Sequence, residues 1–159
     1  MMLSTPLPST TLWRLDEQGV SSGNSLQWLG QGKVLLIGVP GAFTPTCSNQ
    51  HLPGLLASKD ALQAAGITTL ACMAVNDAFV MAAWGRQLGA EGNIQMLSDG
   101  QAELTLALGL QQDASARGMG IRCKRFALLL ENGVITRAWV DEPGRFELTS
   151  AEHILAELR

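Results

Sequence analysis

A chain of 159 residues, 47% hydrophobic and only 16% charged, can bury one substantial core and is too apolar to be disordered. Its 11 basic and 14 acidic residues leave a net charge of −3, which excludes the broad basic face of a nucleic-acid binder and gives no attraction to an anionic membrane surface. Its 3 cysteines, an odd number, cannot complete an intramolecular disulfide framework and fit a reducing compartment.

The chain starts Met1-Met2-Leu3-Ser4-Thr5-Pro6-Leu7-Pro8, without the basic start and unbroken apolar run of a secretory leader. The expectation is a cytoplasmic protein without a membrane span, folded as a single domain over residues 1–159. Residues 11–15 read as a short strand. Residues 33–39 are a near-continuous apolar run, typical of a strand buried on both faces. Residues 44–65 read as a helix broken near Pro53-Gly54. A second buried strand follows at 67–75. Asp77 then caps a helix whose apolar positions Met81, Trp84 and Leu88 recur at intervals of three and four. Residues 94–97 read as a strand closed by Ser98-Asp99-Gly100, and 104–108 as a short helix. Strands at 124–130 and 134–140 are joined by Asn132-Gly133, the strongest short hairpin signal. Thr149 and Glu152 read as a capping box for a last helix with Ala151, Ile154, Leu155 and Leu158 on its apolar face. Segments 21–25 and 111–120 read as soft. Alternation of strands and helices gives parallel pairing first, and the closing hairpin makes the sheet mixed. The expected fold is α/β and thioredoxin-like, with a central mixed sheet flanked by helices on both faces.

The most informative stretch is Val39-Pro40-Gly41-Ala42-Phe43-Thr44-Pro45-Thr46-Cys47. It leaves a buried strand and opens a helix. Thr44 fits the N-cap and Pro45 the first helical position. Cys47 then falls in the first turn, where unsatisfied N–H groups and the helix dipole favour an anion. A thiolate is that anion, and it is the nucleophilic form of cysteine. The bland alternative is a small buried hydrophobe. Strand ends of open α/β sheets are where ligands bind, which favours reactivity.

Pro40-Gly41-Ala42-Phe43-Thr44-Pro45-Thr46-Cys47-Ser48, with His51-Leu52-Pro53-Gly54 behind it, resembles the active-site segment of the peroxiredoxins, and of their type-5 (type II) subgroup in particular. The segments 71–80, Trp84-Gly85-Arg86 and Arg122-Cys123-Lys124-Arg125-Phe126-Ala127 agree in order and spacing. The resemblance implies a thiol peroxidase that reduces hydrogen peroxide and organic hydroperoxides. It implies that Cys47 is the peroxidatic cysteine, which becomes a sulfenic acid, and that the Thr44 hydroxyl bonds peroxide and thiolate. Pro40 would shield the pocket, and Arg122 would pair with the thiolate and polarise the O–O bond. Arg125 is the rival for that last role. Donors of this kind lower the barrier because O–O cleavage leaves a developing alkoxide or hydroxide. No cofactor or metal is implied, and His51 and His153 lack ligand spacing to the cysteines.

The sulfenic acid must be reduced before it oxidises further. Cys72 is the candidate resolving thiol, although a mid-strand position implies burial and a need for local unfolding. Cys123 reads as a bystander facing away from Arg122. The expected reductant is therefore external: glutathione with glutaredoxin, or thioredoxin. Phe43 and Phe79 read as apolar anchors of a homodimer, Trp84 as a core residue, and Arg86 as a surface residue or an aid to pocket or interface. The competing function is a peroxide-responsive redox sensor or partner-binding protein using Cys47. A general disulfide oxidoreductase is disfavoured because Ser48-Asn49-Gln50 follows Cys47 and completes no C-x-x-C.

Overall fold

The computed structural model describes residues 3–158. Met1-Met2, read above with the start of the chain, and Arg159 lie outside the described residues. An eight-stranded sheet runs in the order β1-β10-β9-β4-β5-β6-β2-β3. Its strands are β1 (Thr5–Pro6), β2 (Thr11–Asp16), β3 (Gly19–Asn24), β4 (Lys33–Gly38), β5 (Thr69–Ala74), β6 (Gln95–Ser98), β9 (Arg125–Glu131) and β10 (Val134–Asp141). The centre, β4-β5-β6, is parallel, and β9 and β10 add antiparallel strands beside β4. The mixed, thioredoxin-like sheet expected from the sequence is the sheet observed.

Alternation along the central strands sorts their side chains onto two cores. Leu35 and Ile37 of β4 join one core, and Val34 and Leu36 join the other. The first core holds Cys47, Leu52 and Leu55, then Met81 and Trp84, and finally Ile154. These come from the helices α2 (Leu52–Ala57), α4 (Ala78–Gln87) and α6 (Ala151–Leu158) and the turn that precedes α2. The second core packs Leu29 of α1 (Ser25–Leu29) and Leu104 of α5 (Glu103–Ala107) against Phe126 and Leu128. Phe126 needs a neighbour without a side chain: a Cβ on Gly38, its cross-strand partner, would overlap the ring.

The hairpin forms as its sequence dictates. Val134 pairs with Glu131, and Asn132 and Gly133 take φ of 49° and 83°, the positive pair of a type I′ turn. Asp77 caps α4 by accepting from the Val80 amide at 2.9 Å.

Four expectations change. The first long helix is not broken at Pro53-Gly54. It widens earlier into a π-helical turn, Cys47–His51, and its interruption lies at Ser58, between α2 and α3 (Lys59–Ala64). Proline is tolerated in the first turn of a helix, and Pro53 occupies that position in α2. Segment 21–25 is the end of edge strand β3 and the start of α1, capped by Asn24. Segment 111–120 contains β7 (Gln111–Asp113) and a 3₁₀ turn, Ser115–Arg117. β7 forms a separate two-stranded sheet with β8 (Ile121–Cys123). Lastly, α6 is capped by Ser150, whose hydroxyl accepts from the His153 amide at 3.1 Å. The Thr149 hydroxyl is committed elsewhere, donating to Asp141 at 2.7 Å.

Candidate active site

The loop that leaves β4 is held at several points. The Val39 amide donates to the Met73 carbonyl at 3.0 Å, and the Ala42 amide to Asn76 Oδ1 at 2.9 Å. Phe43 takes φ of 63°, a left-handed conformation that bulky residues rarely adopt and that tends to mark functional loops. Thr44 donates its hydroxyl to the Gly41 carbonyl at 2.7 Å. The helix begins at Pro45, so Cys47 sits in the first turn as its sequence position requires. The Ser48 amide donates to the Thr44 carbonyl at 2.9 Å. The Leu52 amide donates to the Cys47 carbonyl, which closes the π turn. Such single π turns recur at functional sites.

Cys47 is fully buried, and all three cysteines are free thiols. A guanidinium nitrogen of Arg125, Nη2, donates to Cys47 Sγ at 3.3 Å. The sequence assignment to Arg122 is therefore corrected. Arg122 donates Nε to the Met119 carbonyl at 2.8 Å and Nη1 to the Pro40 carbonyl at 3.5 Å. It fastens the loop and does not reach the sulfur. Strand parity explains the difference. Ala127 and Leu129 lie in the core that contains Cys47, while Phe126, Leu128 and Leu130 lie in the other. Arg125 shares the odd parity and so faces Cys47. Arg122 belongs to the small separate sheet, where that parity does not carry over.

His51, given no role in the sequence beyond its place in the motif, joins this cluster. It is fully buried one turn beyond Cys47. Its Nδ1 lies 2.9 Å from Arg125 Nη1, and its Nε2 lies 3.0 Å from the Thr149 carbonyl. Arginine only donates and a carbonyl only accepts. The neutral ring with its proton on Nε2 satisfies both contacts. Burial, reinforced by the charge of Arg125, pushes His51 down to about 3. The spacing from Cys47, i to i+4 on one helix, is the sequence signal that marks it.

A cavity of about 440 Å³ opens over this cluster, lined among others by Pro40, Thr44, Met119, Arg125, Pro143 and Arg145. Pro40, Thr44 and Arg125 thus border one space, with Cys47 bonded to its wall. Trp84, buried as expected, donates its indole N–H to Ser48 Oγ at 2.9 Å and braces the turn from the other side. Arg86 is exposed and lines a different cleft with Arg14 and Met96.

Cys72 is fully buried on β5, and burial pushes its thiol well up. Cys123 is equally buried in the opposite core, bonds the Val39 carbonyl at 3.1 Å, and is also pushed up by burial. Neither is a ready nucleophile in this state. Phe43 and Phe79 are exposed by 47% and 61%. No helix among the described residues is long and apolar enough to cross a membrane.

The family model described as Redoxin matches residues 3–155. Peroxiredoxin-2D of Arabidopsis thaliana is 43% identical over 153 residues, covering 96% of this chain and 94% of the relative. Peroxiredoxin-2C of Oryza sativa subsp. japonica is 44% identical with the same coverage. The crystal structure of reduced Prx3 in complex with H2O2 from Vibrio vulnificus superposes with a TM-score of 0.94 at 45% identity, covering 100% of this chain and 99% of that one.

Proposed function

The chain belongs to the peroxiredoxins, thiol peroxidases that reduce peroxides, and from that premise we propose that Cys47 is its peroxidatic residue and Arg125 the cation that activates it. The observation that carries this reading is the Arg125 Nη2 to Cys47 Sγ contact of 3.3 Å beside the cavity. In the reaction the Cys47 thiolate attacks the terminal oxygen of a hydroperoxide. The new S–O bond forms as the O–O bond breaks, giving Cys47–SOH and an alkoxide or hydroxide that takes a proton from water. Sulfur is oxidised and the peroxide is reduced. The guanidinium serves thiolate and departing oxygen alike, because it is a fixed, permanently charged donor in a water-poor site.

Thr44 faces the same space. Its hydroxyl, now given to Gly41, can turn toward a bound peroxide and accept the hydrogen of its O–H without losing its own donor. Pro40 contributes an apolar wall that offers no competing N–H. Cys47→Ser leaves the wall intact and removes the nucleophile. Its rate of peroxide consumption should fall to the uncatalysed background, and retention of wild-type turnover would refute the assignment.

The rest of the cycle is inferred as follows. Both other thiols are buried, so the sulfenic acid is reset by an external thiol, glutathione with glutaredoxin or else thioredoxin, and no bound cofactor takes part. Small hydroperoxides, hydrogen peroxide and alkyl hydroperoxides, fit a cavity of about 440 Å³. The exposed rings of Phe43 and Phe79 support a homodimer formed beside the active-site loop. The 2C and 2D names of the relatives support the type II (type-5) subgroup. The three free thiols fit a reducing compartment, which supports a cytoplasmic location. The sensor reading is less well supported, because a buried arginine aimed at the sulfur is a device for turnover.

A further inference from the structure

Arg125 is held at its far end, and the hold leads away from the sulfur to a carboxylate. Asp141 ends β10 and is the cross-strand partner of Arg125 in the sheet register. Its carboxylate nevertheless makes no ion pair with that arginine. It accepts instead from the amides of Glu147, Leu148 and Thr149 at 3.1, 2.9 and 3.2 Å, and from the Thr149 hydroxyl at 2.7 Å. These bonds wrap segment 142–149 around the carboxylate. The wrapped segment does two things. It places Phe146 against His51, with ring centroids 5.0 Å apart, and 5.6 Å from Arg125 Cζ. It also aims the Thr149 carbonyl at His51 Nε2, 3.0 Å away.

The contacts form one line: Asp141 to Thr149, Thr149 carbonyl to His51, His51 Nδ1 to Arg125, Arg125 to Cys47. Every member is buried. Polar groups buried without partners are costly, so each link constrains the next. We propose that Asp141 is a positioning residue for peroxide reduction, acting through the Thr149 carbonyl and His51 to hold the Arg125 guanidinium against Cys47. This rests on the reading of Cys47 and Arg125 given above. Burial opposes ionisation of Asp141, but the hydrogen bonds from Leu148, Thr149 and Glu147 outweigh it and keep the carboxyl below its ordinary value. That agrees with an anchor that stays charged.

The test compares four variants of the full chain: Asp141→Asn, Thr149→Val, His51→Asn and the Asp141→Asn/His51→Asn double. Thr149→Val removes one bond to the carboxylate and preserves shape, so it serves if Asp141→Asn fails to fold. Two rates are measured for Cys47, oxidation by hydrogen peroxide and alkylation by iodoacetamide. Alkylation expels iodide and needs no donor for a departing oxygen. Misplacing the guanidinium should therefore slow peroxide reduction more than alkylation, by about tenfold or more, within the ~100-fold that remote misplacement can cause. Because Asp141 acts through His51, the double variant should be no slower with peroxide than His51→Asn alone. Additive losses in the double variant, or equal losses in both rates, would overturn the proposal. So would an unchanged peroxide rate in Thr149→Val or Asp141→Asn. If Arg125→Gln also left the peroxide rate unchanged, the underlying reading of the site would be what failed.

Discussion

Arg125→Gln and Arg122→Gln form a pair of variants whose ranking the geometry fixes in advance. Gln at 125 removes the charge and the Nη2 donor that lies 3.3 Å from Cys47 Sγ. A hydrogen bond involving a charged group is worth ~1.5–3 kcal/mol, which converts to roughly 10- to 160-fold in rate. Loss of a preorganised donor to a developing oxyanion costs about 10²–10³-fold. The same side chain fills both roles, so Arg125→Gln should slow oxidation of Cys47 by peroxide by at least about 100-fold. Arg122 bonds two neutral carbonyls, one at 2.8 Å and one at the long distance of 3.5 Å. It is half-buried, so water replaces much of what is lost. Its effect passes only through the loop, and the slowing should stay below about tenfold, the equivalent of ~1.4 kcal/mol. Stopped-flow fluorescence suits the assay, because the Trp84 indole is bonded to Ser48, the neighbour of Cys47. Unfolding must be compared alongside. Among the described residues Arg125 has no carboxylate partner, so its removal deletes a buried charge without stranding a carboxylate, and the rate loss should come without a matching loss of melting temperature. If Arg122→Gln were the slower of the two, the assignment of the activating cation would be refuted.

Three further outcomes follow from buried groups and exposed rings. His51 titrates at about 3 in the folded protein and at ~6.5 when unfolded. Below the upper value the unfolded chain gains a proton that the folded one does not. The contribution of His51 is therefore complete above pH ~6.5 and is lost toward pH ~3, at up to ~1.4 kcal/mol per unit. Urea unfolding should show this slope in the wild type and a shallower one in His51→Asn; identical slopes would contradict a neutral buried histidine. Cys72→Ser, in a site already closed to solvent, should leave turnover with glutathione and glutaredoxin within about twofold, and a collapse of that turnover would establish an intramolecular disulfide route. Phe79→Asp, at a ring 61% exposed, should convert a dimer to monomers in analytical ultracentrifugation while leaving the melting temperature nearly unchanged. An unaltered sedimentation coefficient at dimer mass would place the interface elsewhere.

Much of the fold is legible because its signals are local. Asn132-Gly133 dictates the hairpin turn, and the apolar run of β4 marks a strand covered on both faces. The position of Cys47 is legible for the same reason, since Thr44 and Pro45 define the first turn of its helix. Arg125 is harder to read. Alternation puts two arginines three residues apart on opposite faces of a strand, but which of those faces holds Cys47 follows only from the packing of its helix. The cap of α6 lies one residue beyond its sequence signal because a distant carboxylate, Asp141, claims the Thr149 hydroxyl. His51 carries its i+4 signal openly, yet its partners come from β9 and from the loop after β10. Only tertiary structure brings those together.

The π turn also sets an angular phase. An α-helix advances about 100° per residue, and the wide turn takes in one residue more than an α-helical turn would. That extra residue lets both His51 and Leu52, neighbours in sequence, lie fully buried: one meets Arg125, and the other packs in the core under α2. Removing a single residue from the exposed stretch Asn49-Gln50 would restore ordinary winding. It would then force a choice. Either α2 keeps its seat and the sulfur rotates by about 100° away from Arg125, or the sulfur stays and the apolar face of α2 turns toward water. The reactive centre and the helix that follows it are thus geared together, and the length of one turn is the gear ratio.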